Sequence, residues 1–227
     1  MFSPDWPQAA AHPSPNHGPR RNGLLPRFVV LHYTGMRDGA AALDRLCCVD
    51  AQVSAHYVID LDGKALQLVP EDRRAWHAGA GTWLGLDDLN SRSIGVELVN
   101  RGDRPFPAAQ MWALSGLLGH LQGRWGIAPY DVIGHSDMAP DRKEDPGPRF
   151  DWRSLALQRL TLHPDGLGPE LPLGRSLDSI GYPSAPDDKR LQAFRFRFAP
   201  WLQGPESAAV RRRAACVADG FAQARAQ

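Results

Sequence analysis

The stretch Gly134–Pro148, GHSDMAPDRKEDPGP, constrains this chain more than any other. Proline lacks an amide hydrogen and fixes φ, so Pro140, Pro146 and Pro148, with Gly147, exclude a long helix or strand here. The apolar lead-in Val132-Ile133-Gly134 reads as a strand that ends at His135. The stiff loop beyond it then carries Lys143 and Asp145 back over the strand end. An imidazole, an ammonium and a carboxylate meet there, a set that can hold a metal beside a reacting carbonyl.

Other segments supply the frame for that loop. Arg27–Tyr33 is a continuous apolar run with β-branched and aromatic residues, which reads as a buried strand ending at Thr34-Gly35. Ser93–Val99 reads as another, with Ile94, Val96 and Leu98 on one face and Ser93, Gly95 and Glu97 on the other. Val53–Ile59 and Ala65–Val69 flank Asp62-Gly63, a hairpin signature. Ala40, Ala41, Leu43, Leu46 and Cys47 predict a short helix over 39–49. Met111, Leu114, Leu117, Leu118, Leu121 and Trp125 form the apolar face of the longest predicted helix, from Pro107 to Gly126. Asp151 is placed to cap a further helix. Residues 75–90, rich in Gly and Trp, read as a long functional loop in which Trp76 and Trp83 suit sugar or peptide contact, though either also suits packing.

Four units follow: an irregular N-terminal arm at 1–23, lying on the domain or disordered; a main domain at 24–162; a Gly/Pro linker at 163–174; and a small helical unit at 175–227 that is too short for an ample core of its own. The 227 residues carry a net charge of +1, 43% hydrophobic and 22% charged residues, the profile of a globular protein with no bias toward nucleic acid or an anionic membrane. No run reaches the ~20 apolar residues of a membrane span. A monomer is expected. The three cysteines, Cys47, Cys48 and Cys216, have no framework spacing and favour a reducing compartment. Met1–Pro7 shows neither a basic segment followed by an apolar run nor a lipid-attachment cysteine. The expected location is therefore cytoplasmic, with periplasm or outer membrane as the alternative if an export signal has been trimmed.

Among the polar residues, His32 interrupts a buried strand and reads either as a hydrogen-bonded core residue or as a ligand. Glu97 is either an edge glutamate facing water or a carboxylate that needs a partner. Two imidazoles and a carboxylate form a common catalytic zinc set, yet the wide separation of His32 from His135 carries no signal by itself. His56 reads as core, as a support for a ligand or as a substrate contact. His77 is a candidate contact for a bound peptide, and Arg92 and Arg101 for its carboxylates or simply for water.

The words VLHYT (30–34), VSAHY (53–57), AWHAG (75–79), SIGVEL (93–98) and GHSDMAPDRKEDPGP (134–148) resemble, in order, the zinc-dependent N-acetylmuramoyl-L-alanine amidases of the amidase-2 family. Phage lysozyme-type amidases and peptidoglycan recognition proteins are related to them, and the likeness is greatest to the bacterial AmpD/AmiD-type members. The resemblance implies an α/β fold with a central mixed sheet flanked by helices. It implies Zn²⁺ ligands at His32, His135 and Asp145, a catalytic Glu97 and an oxyanion-stabilising Lys143. Some relatives have a tyrosine where this chain has Ala55, which leaves the proton work to Glu97. It implies hydrolysis of the amide between an N-acetylmuramoyl or 1,6-anhydro-N-acetylmuramoyl lactyl group and L-alanine, on muropeptide or peptidoglycan. The tail more loosely resembles a small peptidoglycan-binding helical domain. A binding module without catalysis is the alternative, disfavoured by the complete residue set.

Overall fold

The computed structural model describes residues 2–227. Among the described residues, eight strands and eight α-helices occur, intermixed up to the last strand and all helical beyond it. The strands are β1 (Ala10–Ala11), β2 (His17–Pro19), β3 (Phe28–Tyr33), β4 (Tyr57–Ile59), β5 (Ala65–Gln67), β6 (Arg73–Ala75), β7 (Ser93–Leu98) and β8 (Val132–Gly134). The helices are α1 (Gly39–Cys47), α2 (Leu89–Arg92), α3 (Ala108–Trp125), α4 (His135–Met138), α5 (Trp152–Leu157), α6 (Leu173–Ile180), α7 (Asp187–Phe198) and α8 (Ala208–Arg225).

Six strands form one mixed sheet in the order β1-β5-β4-β7-β3-β8, and β2 pairs with β6 in a small antiparallel ribbon. The sheet is parallel except at β4–β5, the hairpin that Asp62-Gly63 predicts. Gly63 adopts φ 87°, and a Cβ there would also crowd the Ala109 carbonyl. β3 and β7 lie at the centre, which explains their unbroken apolar runs: both faces of the sheet are covered.

One face, with Val29, Leu31, Ile94, Val96 and Val132, packs on Leu114, Leu117, Leu118 and Leu121 of α3 and on Trp152 and Leu155 of α5. The other face has two covers. Ala42 and Leu46 of α1 pack with Val58 of β4. Phe28, Val30 and Ile133 share a core with Leu177, Ile180, Phe194, Phe198, Val217 and Phe221 of α6 to α8. His32 and Glu97 belong to this second face, between its two covers.

Three expectations need correction. The strand at β8 stops at Gly134, and His135 opens the four-residue helix α4 instead of ending the strand. Trp83 is fully buried and meets Tyr182 edge-on at 5.3 Å, so it packs and does not face a ligand. The N-terminal arm is held by β1, β2 and buried side chains. Asn16 donates to the Cys48 and Val53 carbonyls, and the Arg20 guanidinium donates to those of Glu71, Ser91 and Ser93.

Candidate active site

The centre of the site is a product of sheet register. β3 and β7 run parallel with His32 opposite Glu97, so both side chains leave the same face at neighbouring positions. β8 lies on the other side of β3, with Gly134 opposite Leu31. His135, the next residue, therefore arrives beside His32. The proline-rich loop then returns Asp145, whose carbonyl accepts from the Ser136 amide at 2.9 Å.

Three atoms converge there. His32 Nδ1 lies 2.9 Å from His135 Nδ1, and each of these nitrogens lies 3.0 Å from Asp145 Oδ2. All three side chains are buried. Burial, reinforced by His135, lowers the His32 pKa to about 4, so its ring is neutral at neutral pH. His135 Nε2 faces the Ala78 carbonyl at 3.0 Å, and a carbonyl only accepts. In the neutral ring that nitrogen carries the proton, which leaves the Nδ1 lone pair facing its two neighbours. Two imidazole nitrogens and a carboxylate oxygen gathered in a buried place form a donor set that suits a metal cation.

Glu97 completes the polarity. Its Oε2 is inaccessible and has no hydrogen-bond partner. Burial, with Asp145 nearby, pushes its pKa up to about 8, and Lys143 opposes the shift. Above the cluster opens a cleft of about 450 Å³. It is lined by His32, His77 and Glu97, by Ala42, Arg45 and Leu46 of α1, and by Arg142 and Lys143 of the proline-rich loop. Trp76 lines the same cleft, half-buried.

The Amidase_2 family model, described as N-acetylmuramoyl-L-alanine amidase, matches residues 22–148. The chain belongs to this family. It is 37% identical over 217 residues to the N-acetylmuramoyl-L-alanine amidase AmiD of Escherichia coli, covering 80% of this chain and 78% of that one. With the 1,6-anhydro-N-acetylmuramyl-L-alanine amidase AmpD of Enterobacter cloacae it shares 36% identity, over 65% of this chain and 88% of that one. Among solved structures, the E. coli AmiD complex with anhydro-N-acetylmuramic acid-L-Ala-D-gamma-Glu-L-Lys superposes with a TM-score of 0.78 at 33% identity, covering 89% and 93% of the two chains. AmpDh3 of Pseudomonas aeruginosa gives 0.77 at 29% identity, over 98% of this chain and all of that one. The protein is thus an enzyme of the N-acetylmuramoyl-L-alanine amidase class, which sets aside the binding-only alternative.

Not every residue singled out from the sequence belongs to the amidase cleft. His56 is fully buried: its Nδ1 accepts from the Gly95 amide at 2.9 Å, its Nε2 reaches the Arg73 carbonyl at 3.0 Å, and burial with Arg20 lowers its pKa to about 3. It ties the sheet to β6, and both its ring nitrogens are engaged by the protein. Arg92 lies outside the cleft and donates to the Asp87 carbonyl. Arg101 is exposed beside Met36 and Arg104 in a separate shallow depression. The cations that do face the cleft are Arg45, Arg142 and Lys143. Arg45 escaped notice because a lone arginine on a short amphipathic helix reads as a solvated side chain. Asp137, one of several acids in the loop, is fully buried: its carboxylate accepts from the Gly134 amide, the Tyr182 hydroxyl and Arg197. Only its spacing from His135 at the start of a helix hinted at this.

No helix among the described residues is long and apolar enough to cross a membrane.

Proposed function

We propose that this amidase hydrolyses the amide joining the lactyl group of N-acetylmuramic acid, or its 1,6-anhydro form, to L-alanine of a stem peptide, with zinc held by His32, His135 and Asp145. The observation that carries this reading is the convergence of two imidazole nitrogens and a carboxylate oxygen in a buried place beside an unpartnered Glu97 oxygen. The substrate in the E. coli AmiD complex supports the choice of bond.

Neutral imidazoles and one carboxylate are the donor set that catalytic zinc sites use. Bound there, zinc supplies Lewis acidity, acidifying water toward neutrality and polarising an amide carbonyl. The chain's own groups do the rest. The Glu97 carboxylate takes a proton from the attacking water and delivers it to the departing alanine nitrogen; its partial burial suits it to both roles. Lys143 places an ammonium where the carbonyl oxygen gains charge. Arg45 and Arg142 offer positive charge to the carboxylates of the stem, and Trp76 an apolar face to the sugar or the L-alanine methyl. Water plus amide gives a free lactyl carboxylate and a free peptide amine.

Released muropeptides in the cytoplasm are the substrate pool this reading favours, and the three unpaired thiols support a reducing compartment. The tail is read as a unit that helps present the polymer. The test is mass spectrometry of products from anhydro-muropeptides and from intact sacculi, before and after chelation. Release of free stem peptide, lost on chelation and restored by zinc, is the expected outcome. Cleavage elsewhere in the stem, or turnover that survives complete metal removal, would overturn the proposal.

A further inference from the structure

The loop carrying Trp76–Gly79 was singled out as a place for substrate, and His77 does border the cleft. Its polar atoms, however, are both engaged by the protein. His77 Nδ1 lies 3.0 Å from His32 Nε2, and His77 Nε2 lies 3.2 Å from Ser93 Oγ. The direction of every proton in this chain of contacts follows from its far end. Ser93 Oγ lies 2.5 Å from the Leu89 carbonyl, which can only accept, so the single hydroxyl hydrogen goes there. Toward His77 the hydroxyl oxygen is then an acceptor, and His77 Nε2 must carry the proton. A neutral imidazole has one donor and one acceptor nitrogen, so His77 Nδ1 accepts from His32 Nε2. His32 is left with its lone pair on Nδ1, the atom that faces His135 and Asp145.

The neighbouring residue does the same for the other ring, since the Ala78 carbonyl takes the proton of His135 Nε2. Two consecutive residues thus face the outer nitrogens of both imidazoles. The loop is pinned for this: Asn90 Oδ1 accepts from the His77 and Ala78 amides at 3.0 and 2.8 Å, and Arg142 donates to the Ala78 carbonyl at 2.8 Å. Gly95 of β7 makes the room. A Cβ there would stand 2.6 Å from His77 Nδ1, so only a glycine lets the ring lie on the sheet.

We infer that His77, oriented by Ser93, is a positioning residue that fixes the tautomer of His32 and so presents its Nδ1 to the metal, and that it is not a substrate-binding residue. This rests on the zinc reading of the site given above. Were Ser93 Oγ absent, His77 would be free to carry its proton on Nδ1. It would then face His32 Nε2 as a donor and drive the His32 proton inward, onto the atom that should ligate.

The experiment measures zinc affinity by competition with a fluorescent chelator, and the visible spectrum of the cobalt-substituted protein. The proteins are the wild type, Ser93→Ala, His77→Leu, His77→Asn and His135→Ala. Removing such partners of ligating histidines typically weakens metal binding about 10- to 100-fold. His77→Leu is expected in that range, and Ser93→Ala several-fold weaker than wild type. His77→Asn, whose Oδ1 stands near the place of the ring Nδ1, should recover most of the affinity and a wild-type cobalt spectrum. If His77→Leu does not fold, Ser93→Ala against His77→Asn decides the matter in the same way. Affinities within twofold of wild type for both Ser93→Ala and His77→Leu, with a raised KM, would overturn the inference and make His77 a substrate contact. Wild-type protein that binds zinc no better than His135→Ala would instead sink the zinc reading itself.

Discussion

Glu97 shows how one side chain gains its character from its strand neighbours. It sits opposite His32 on β3 and Val58 on β4, in the middle of a sheet, and this keeps water from one of its oxygens. Removing its proton-transfer ability while keeping its shape should therefore separate chemistry from structure. Glu97→Gln is expected to lower kcat about 10²- to 10⁴-fold with zinc content unchanged. Steady-state kinetics alongside metal analysis checks this, and near-normal turnover in a zinc-loaded variant would remove Glu97 from the proton-transfer role. His163 offers a test away from the site. Its Nε2 bonds the Arg197 carbonyl at 3.1 Å, its Nδ1 is buried without a partner, and burial with Arg213 and Arg197 lowers its pKa to about 4. The unfolded chain takes that proton first, near pH 6.5, so this contribution is fully present above 6.5 and is lost as pH falls toward 4. Between pH 7 and 5 the loss should be on the order of 1–2 kcal/mol after discounting for partial exposure of the ring. Urea midpoints of wild type and His163→Gln at the two pH values test it; the variant should show the smaller drop.

At the level of elements, the short helix α4 links the metal cluster to the C-terminal helices. His135 begins it, and Asp137, its third residue, caps it from within by accepting from the Gly134 amide at 2.8 Å. Asp137 in turn accepts from Tyr182 at 2.7 Å and from Arg197 of α7 at 2.6 Å, all buried. Arg197 also donates to the Val132 carbonyl of β8 and stacks over Trp152 at 4.3 Å. This pair therefore anchors both ends of the turn that delivers His135. Arg197→Met would leave a buried carboxylate without its cation, a loss of about 3–5 kcal/mol. Chemical denaturation should show that loss, and a change below about 1 kcal/mol would mean the pair does not hold the turn. The same element shows why His135 was misplaced at a strand end: Gly134 and His135 are adjacent, and only the carboxylate arriving from Asp137 turns the chain into a helix.

Seen whole, the molecule has no boundary in its core where the sequence suggests a linker. Phe28, Val30 and Ile133 of the sheet share one apolar cluster with helices α6 to α8. Deleting residues 173–227 would uncover that face of β3 and β8 together with Trp83, and would strip Asp137 of Arg197 and Tyr182. The truncated chain is expected to aggregate, or to bind an apolar dye and unfold without a sharp transition. A monodisperse, cooperatively folded amidase from residues 1–172 would show that the tail only rests on the sheet.

The strands at Phe28–Tyr33 and Ser93–Leu98, the hairpin about Asp62-Gly63, the helix from Ala108 to Trp125 and the Asp151 cap were legible in the residues, because each depends on local periodicity or a local hydrogen bond. The five ordered words made the family legible as well. What the chain alone could not determine is which polar residues meet. His32, Glu97 and His135 come together through parallel register between strands far apart in sequence, and register leaves no local trace. The roles of His56, His77, Arg92 and Arg101 turned on the same thing. Whether a histidine touches substrate, sheet or another histidine depends on what the tertiary fold sets against each ring nitrogen. That pairing of donors with acceptors was decided only when the loop of His77 closed over Gly95.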